Sequence, residues 1–165
     1  MNDLVSSTRS AISQKNWYAA LTLALTLPDI CGYIEDPTKS SGARYSDWFT
    51  SYVASRYSSG GHQFLSGGDC YALRCAFLHQ GEVDISAQRA RQALDSFHFI
   101  APPGRGCVFH MNQSDGKLQL QVDLFAEDIC RGVDSWLSAK ASDPVSSQRL
   151  STLGKIYDVG SSFQF

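Results

Sequence analysis

The chain has no positive charge to spare. Fourteen Lys and Arg stand against sixteen Asp and Glu, a formal net charge of −2 over 165 residues. That balance excludes a basic domain that holds nucleic acid by its overall field, so any polyanion site must be a local cluster of arginines. Paired cysteines are also missing. The five Cys (31, 70, 75, 107 and 130) form no CxxC, and an odd count makes a poor disulfide framework. The start of the chain, Met-Asn-Asp-Leu-Val-Ser-Ser, lacks a basic region followed by an apolar core. Together these features predict a reduced, cytoplasmic protein.

Long apolar runs are scarce as well. The longest, residues 17–27, is interrupted by Thr22 and Thr26 and stopped by Pro28-Asp29. It falls short of the roughly 20 residues that a membrane span needs, so it reads as a buried core helix, with no membrane partner expected. GxGxxG and GxxxxGK[ST] are absent, which removes the recognisable phosphate-cradling loops. HExxH and paired-Cys patterns are absent too, so neither a metal nor a cofactor is expected.

What the chain does have is helical periodicity. Residues 3–14 carry a modest pattern. Asn16 is a natural N-cap for a strong helix from 17 to about 34, kinked at Pro28. After a connection over 35–41, residues 42 to about 56 place Tyr45, Trp48, Phe49, Tyr52 and Val53 at three- and four-residue spacing. A break over 58–61 leads to another helix at 66–81. Residues 86–94 read as a short helix, and 96–100 alternate. Residues 107–111 pair antiparallel with 117–122 across the turn-rich loop 112–116, with Leu118, Leu120 and Val122 on one face. Asp123 caps a last long helix to about 140, and Asp143-Pro144 starts one further helical piece. The expected fold is mainly α, a helical bundle with a small antiparallel β-hairpin or three-stranded sheet before the last long helix. It forms one domain over 1–140, including the hairpin at about 107–122, and 141–165 is a partly ordered tail. No repeat and no second domain are visible. The aromatic end at 163–165 has no evident role.

The helix at 66–81 is the most informative stretch. Ser66 is its N-cap with Asp69 as an acidic capping-box partner, and Gly81 is its stop. On a helical wheel Cys70, Leu73, Ala76 and Phe77 form the core face, and Tyr71, Cys75 and Leu78 form a narrower apolar stripe opposite. Arg74 and His79 edge that stripe. A helix apolar on two sides is buried twice, and one burial fits a second copy of the chain. A twofold axis would then gather two Arg and two His around one cleft.

Every His here follows an Arg with four to six residues between: Arg56 and His62, Arg74 and His79, Arg91 and His98, Arg105 and His110. Only Arg74 and His79 share one continuous predicted helix. In that context Arg74-Cys-Ala-Phe-Leu-His79 resembles the HEPN (higher eukaryotes and prokaryotes nucleotide-binding) superfamily, whose ribonuclease members carry Arg, four to six residues, then His late in a helical core. The resemblance implies a helical bundle, usually dimeric, that cleaves RNA without a metal ion. Arg74 and His79 would be its catalytic residues. RNA, a homodimeric mate and a neutralising partner protein are the partners it suggests.

Around that pair, Asp69, Tyr71, Arg89 and Arg91 are the candidates for substrate binding: an acid, a stacking ring and two phosphate-binding cations. Each also has a structural reading. Asp69 fits a helix cap, Tyr71 fits interface packing, and Arg89 and Arg91 fit a solvated face. His79 suits a helix C-terminus, and Arg74 has Asp69, Asp29 or Glu82 as possible ion-pair mates. Cys75 follows the Arg where active HEPN members often have Asn, Asp or His. A non-catalytic HEPN-like module that binds nucleotide, nucleic acid or a partner protein is therefore the alternative. A bundle that binds a small molecule against the aromatic helix over 45–52 is a third reading. Cys70 and Cys75 read as inert buried thiols.

Overall fold

The computed structural model describes residues 1–104 and 106–156. Among the described residues there are six α-helices, five of them packed around α2: α1 (Asn2–Ser13), α2 (Trp17–Glu35), α3 (Ser41–Tyr52), α4 (Gly67–Gln80), α5 (Val122–Lys140) and α6 (Pro144–Ser151). The fold is mainly α, as the periodicity predicts, with two small sheets where one was expected. α2 touches all five other helices, and Ala20, Leu21, Ala24, Leu25, Leu27, Cys31 and Ile34 are buried along it. It is long and apolar enough to cross a membrane by composition, yet half of it serves as the core against which the bundle forms. Asn16 caps it by accepting the Ala19 N–H at 3.3 Å. The helix continues through Pro28, which lacks an N–H for the ladder. The Tyr45 hydroxyl donates to the Leu25 carbonyl at 3.3 Å, in the turn that Pro28 disturbs.

α3 buries Tyr45, Trp48 and Phe49, the positions its spacing selects. A 3-10 turn, Ala54–Tyr57, and a minimal antiparallel pair, β1 (Ser58–Ser59) with β2 (His62–Gln63), lead into α4. α4 begins and ends at its signals. Ser66 Oγ accepts the Asp69 N–H at 3.0 Å, and Gly81 takes the left-handed conformation at φ +73° that glycine adopts without strain. Cys70, Leu73 and Ala76 are buried, whereas Tyr71, Cys75, Phe77 and Leu78 are half-buried. The core side of the wheel is thus buried except at Phe77, and the opposite stripe is only partly covered.

The second sheet departs from expectation. It has three strands in the order β3 (Ser96–Ile100), β5 (Lys117–Gln121), β4 (Asn112–Ser114). β4 and β5 are antiparallel, but β3 lies parallel to β5, so the sheet is mixed. Residues 107–111 stay outside it. The cause is Asp115-Gly116, at φ +48° and +72°, a two-residue hairpin turn that brings Ser114 opposite Lys117. So tight a turn pulls 112–114 into the ladder and strands Cys107, Val108 and Phe109 at the surface.

Two other expectations are corrected. Residues 86–94 form turns rather than a helix, because the Asp69 carboxylate takes the backbone N–H groups of Gln92, Ala93 and Leu94 that a helix would use. α5 starts at Val122 without a side-chain cap, and Asp123 instead accepts from the Gln121 side-chain amide at 2.8 Å. Beyond α5, Asp143 caps α6, and Arg149 ties that helix to the end of α2 through the Ile34 and Glu35 carbonyls. The tail is therefore structured over 144–151. The aromatic end at 163–165 lies outside the described residues, as does Arg105.

Candidate functional site

Arg74 and His79 face each other on the outer side of α4. Arg74 Nη1 lies 3.1 Å from His79 Nε2. A guanidinium has only donors, so Nε2 is the acceptor and the imidazole is neutral, with its proton on Nδ1. His79 is exposed and Arg74 half-buried. Arg74 also donates through Nη2 to Asp29 Oδ2 of α2 at 2.8 Å. The other carboxylate oxygen of Asp29 accepts from Arg44 of α3 at 3.4 Å. One turn beyond Asp29 on α2, Tyr33 places its ring 5.2 Å beneath the Arg44 guanidinium. The result is a continuous strip, Tyr33, Arg44, Asp29, Arg74, His79, drawn from three helices.

Two guanidinium charges and one carboxylate leave this strip one net positive charge. Its donors outnumber its acceptors. Arg74 Nε and Arg44 Nε are both buried without a hydrogen-bond partner among the described residues. Arg44 adds one bond, to the Lys39 carbonyl at 3.3 Å. The strip is a local concentration of arginine in an acidic protein, the arrangement that the composition requires of any oxyanion site.

Close backbone packing sets its geometry. A Cβ added to Gly32 would lie 2.7 Å from the Arg44 carbonyl oxygen, and one on Gly67 would lie 2.5 Å from the Ser46 carbonyl oxygen. Glycine at these two positions lets α2 meet α3, and α3 meet the start of α4, closely enough for Asp29 to reach both arginines. A cleft of about 530 Å³ opens beside Arg44, lined among others by Glu35, Lys39, Asp47 and Ser51.

The other residues singled out from the sequence lie elsewhere. Asp69 is not at a substrate surface. It is 1% exposed, accepts the Ser66 hydroxyl at 2.7 Å, and holds the backbone of 92–94. Tyr71 packs between helices, with its hydroxyl 2.9 Å from Ser41 Oγ and its ring against Tyr45 and Gly42. Arg89 and Arg91 are exposed on the 86–94 turns, where Arg91 pairs with Asp95. Neither has a contact with the Arg74–His79 strip among the described residues. The rings of the aromatic helix, Tyr45, Trp48 and Phe49, are spent in the core. Burial pushes the Cys70 thiol up to about 12, which makes it inert at neutral pH.

Arg44 and Tyr33 escaped the sequence reading. The four-residue step from Asp29 to Tyr33 was the available signal, since it places both on one face of α2. A second cluster also escaped it. Tyr57 donates to Asp128 at 3.3 Å, Arg56 lies 3.7 Å from the same carboxylate, and the His110 ring meets Tyr57 edge-on. His110 Nδ1 accepts the Gln121 N–H at 3.2 Å, which leaves the proton on Nε2, buried without a partner among the described residues. Desolvation lowers the His110 pKa and raises that of Asp128. This half-buried cluster clasps the 107–111 loop to α5. Among the described residues no three His, Cys, Asp or Glu are gathered to hold a metal ion.

Fold and site together define a mainly α bundle with a surface arginine–histidine–aspartate strip. The chain matches no family model, no curated protein and no solved structure.

Proposed function

We propose that the protein is a metal-independent RNA endonuclease of HEPN type, with Arg74 and His79 as its catalytic pair. The observation that carries the reading is the 3.1 Å contact between Arg74 Nη1 and an exposed, neutral His79 Nε2. Arg74 turns from the imidazole to the substrate phosphate and stabilises charge on its non-bridging oxygens. The freed Nε2 takes the proton from the ribose 2′-hydroxyl, whose oxygen attacks the adjacent phosphorus. The 2′-O–P bond forms, the P–O5′ bond breaks, and the products are a 2′,3′-cyclic phosphate and a 5′-hydroxyl. The 5′ oxygen takes its proton from water or from the imidazolium of a second copy across a twofold axis. DNA, which lacks the 2′-hydroxyl, is not cut.

The test is cleavage of single-stranded RNA by purified protein in EDTA, beside Arg74→Ala and His79→Ala. Activity in the wild type alone supports the proposal. Equal activity in all three, or none in the wild type, discards it. A second reading, a non-catalytic HEPN-like module that binds nucleotide, nucleic acid or a partner protein, draws support from Asp29, which already pairs with Arg74. It predicts binding without cleavage.

A further inference from the structure

We propose that Arg44 and Tyr33 belong to the binding surface, so that the site takes RNA as a single strand. Arg44 and Arg74 share one backbone phosphate in the place of the Asp29 carboxylate, and a base beside that phosphate stacks on Tyr33. The identity of the ligand as RNA rests on the ribonuclease reading. The placement of the contacts rests on the strip itself.

Asp29 divides its two oxygens between the two arginines, at 2.8 Å to Arg74 and 3.4 Å to Arg44. An oxyanion bridging two guanidiniums is what a phosphate diester offers with its two non-bridging oxygens. A bound phosphate diester adds one negative charge and so neutralises the net positive charge of the strip. The Asp29 side chain is 18% exposed, so part of the bridging carboxylate already meets solvent. The four terminal nitrogens of the two forks carry more N–H donors than the one carboxylate, one imidazole nitrogen and one carbonyl that they meet. An acceptor-rich ligand answers that surplus.

Tyr33 supplies the strand preference. Its ring is 54% exposed although it sits beside a buried helix face, and Arg44 holds it by a cation–π contact. A free aromatic face next to a phosphate site accepts an unpaired base. Bases inside a duplex are already stacked and out of reach.

The test is fluorescence anisotropy with a labelled single strand of 2′-O-methyl RNA, which lacks the attacking hydroxyl and is bound without being cut. A duplex of the same sequence serves as competitor, and circular dichroism checks that each variant folds. The single strand is expected to bind at least about tenfold tighter than the duplex, and Arg44→Gln and Tyr33→Ala each to weaken it about tenfold. Tyr33→Phe retains the affinity because the ring is kept, and Asp29→Asn raises it because the internal competitor is gone. Equal affinity for the duplex, wild-type binding by Arg44→Gln and Tyr33→Ala, or no binding by the wild type overturns the inference. Cleavage that ignores Arg44 and Tyr33 would leave the nuclease standing without it. Binding that needs both, with no cleavage of natural RNA, would leave it standing without the nuclease.

Discussion

The Asp69 carboxylate accepts the backbone N–H of Gln92 at 2.6 Å, across twenty-three residues of chain. The same carboxylate meets Ala93, Leu94 and the Ser66 hydroxyl, so one buried anion ties the start of α4 to the segment that enters β3. Asp69→Ala removes the anion and strands several buried donors. It is expected to cost about 3 kcal/mol or more in urea unfolding. Asp69→Asn, which keeps one acceptor oxygen, is expected to cost less. An Asp69→Ala midpoint equal to wild type would show that the clasp contributes nothing.

Gly32 holds the helix crossing beneath the site. In Gly32→Ala the new methyl meets the Arg44 carbonyl oxygen and pushes α3 from α2. The expected cost is about 1–3 kcal/mol in thermal or chemical unfolding. Any RNA affinity should fall with it, because Arg44 moves away from Asp29. Unchanged stability would mean that the two helices slide apart freely.

Acid should weaken the protein through His110. Its folded-state pKa lies below the ordinary 6.5 because burial disfavours the imidazolium. Stability from the neutral ring is therefore fully present above the unfolded value and is lost as pH falls through the lower folded one. The slope from this group reaches at most about 1.4 kcal/mol per pH unit. Asp128 has the opposite sign. Its raised pKa gives stability that is present below 3.8 and lost as pH rises through the folded value. Arg56, Tyr57, Asp123 and Arg131 complete the charged and titrating surroundings. Unfolding free energies measured between pH 8 and 5 should decline less in His110→Gln than in wild type. The same decline in His110→Gln and wild type would assign the titration to other groups.

Loss of His79 should separate chemistry from folding. The side chain is exposed, so His79→Ala is expected to shift stability by no more than about 0.5 kcal/mol. Its cleavage rate should fall by roughly 10²–10⁴. Arg74→Ala should lower the rate by roughly 10²–10³, and Arg74→Lys should not restore it, because an ammonium cannot fork a phosphate. Single-turnover kinetics on a defined RNA measures each.

Much of the bundle was legible because its signals are local. Asn16, Ser66, Gly81 and Asp143 lie within a few residues of the backbone groups they satisfy, and Tyr45, Trp48 and Phe49 reveal their face by spacing alone. The sheet was only half legible. The alternation of Leu118 and Leu120 marks β5 and that of 96–100 marks β3, but the Asp115-Gly116 turn selected a different antiparallel partner, and nothing local signals that β3 runs parallel to β5. The segment 86–94 has helical residues, yet a carboxylate far back in the chain captured its amides.

The Arg74–His79 adjacency could be read from one helix, since a single turn and a half of regular backbone relates the two. Its companions could be read only in part: Asp29 stood among three possible mates for Arg74, and Arg44 and Tyr33 did not figure. Asp29 lies forty-five residues before Arg74, and Arg44 comes from a third helix, so only the approach of α2 to α3 at Gly32 decides that they share one carboxylate. Composition and period thus determined which helices form and which faces they bury, because those depend on nearest neighbours along the chain. Tertiary packing decided which charges meet, because side-chain pairs several helices apart are fixed by interhelical distance, which no local pattern encodes.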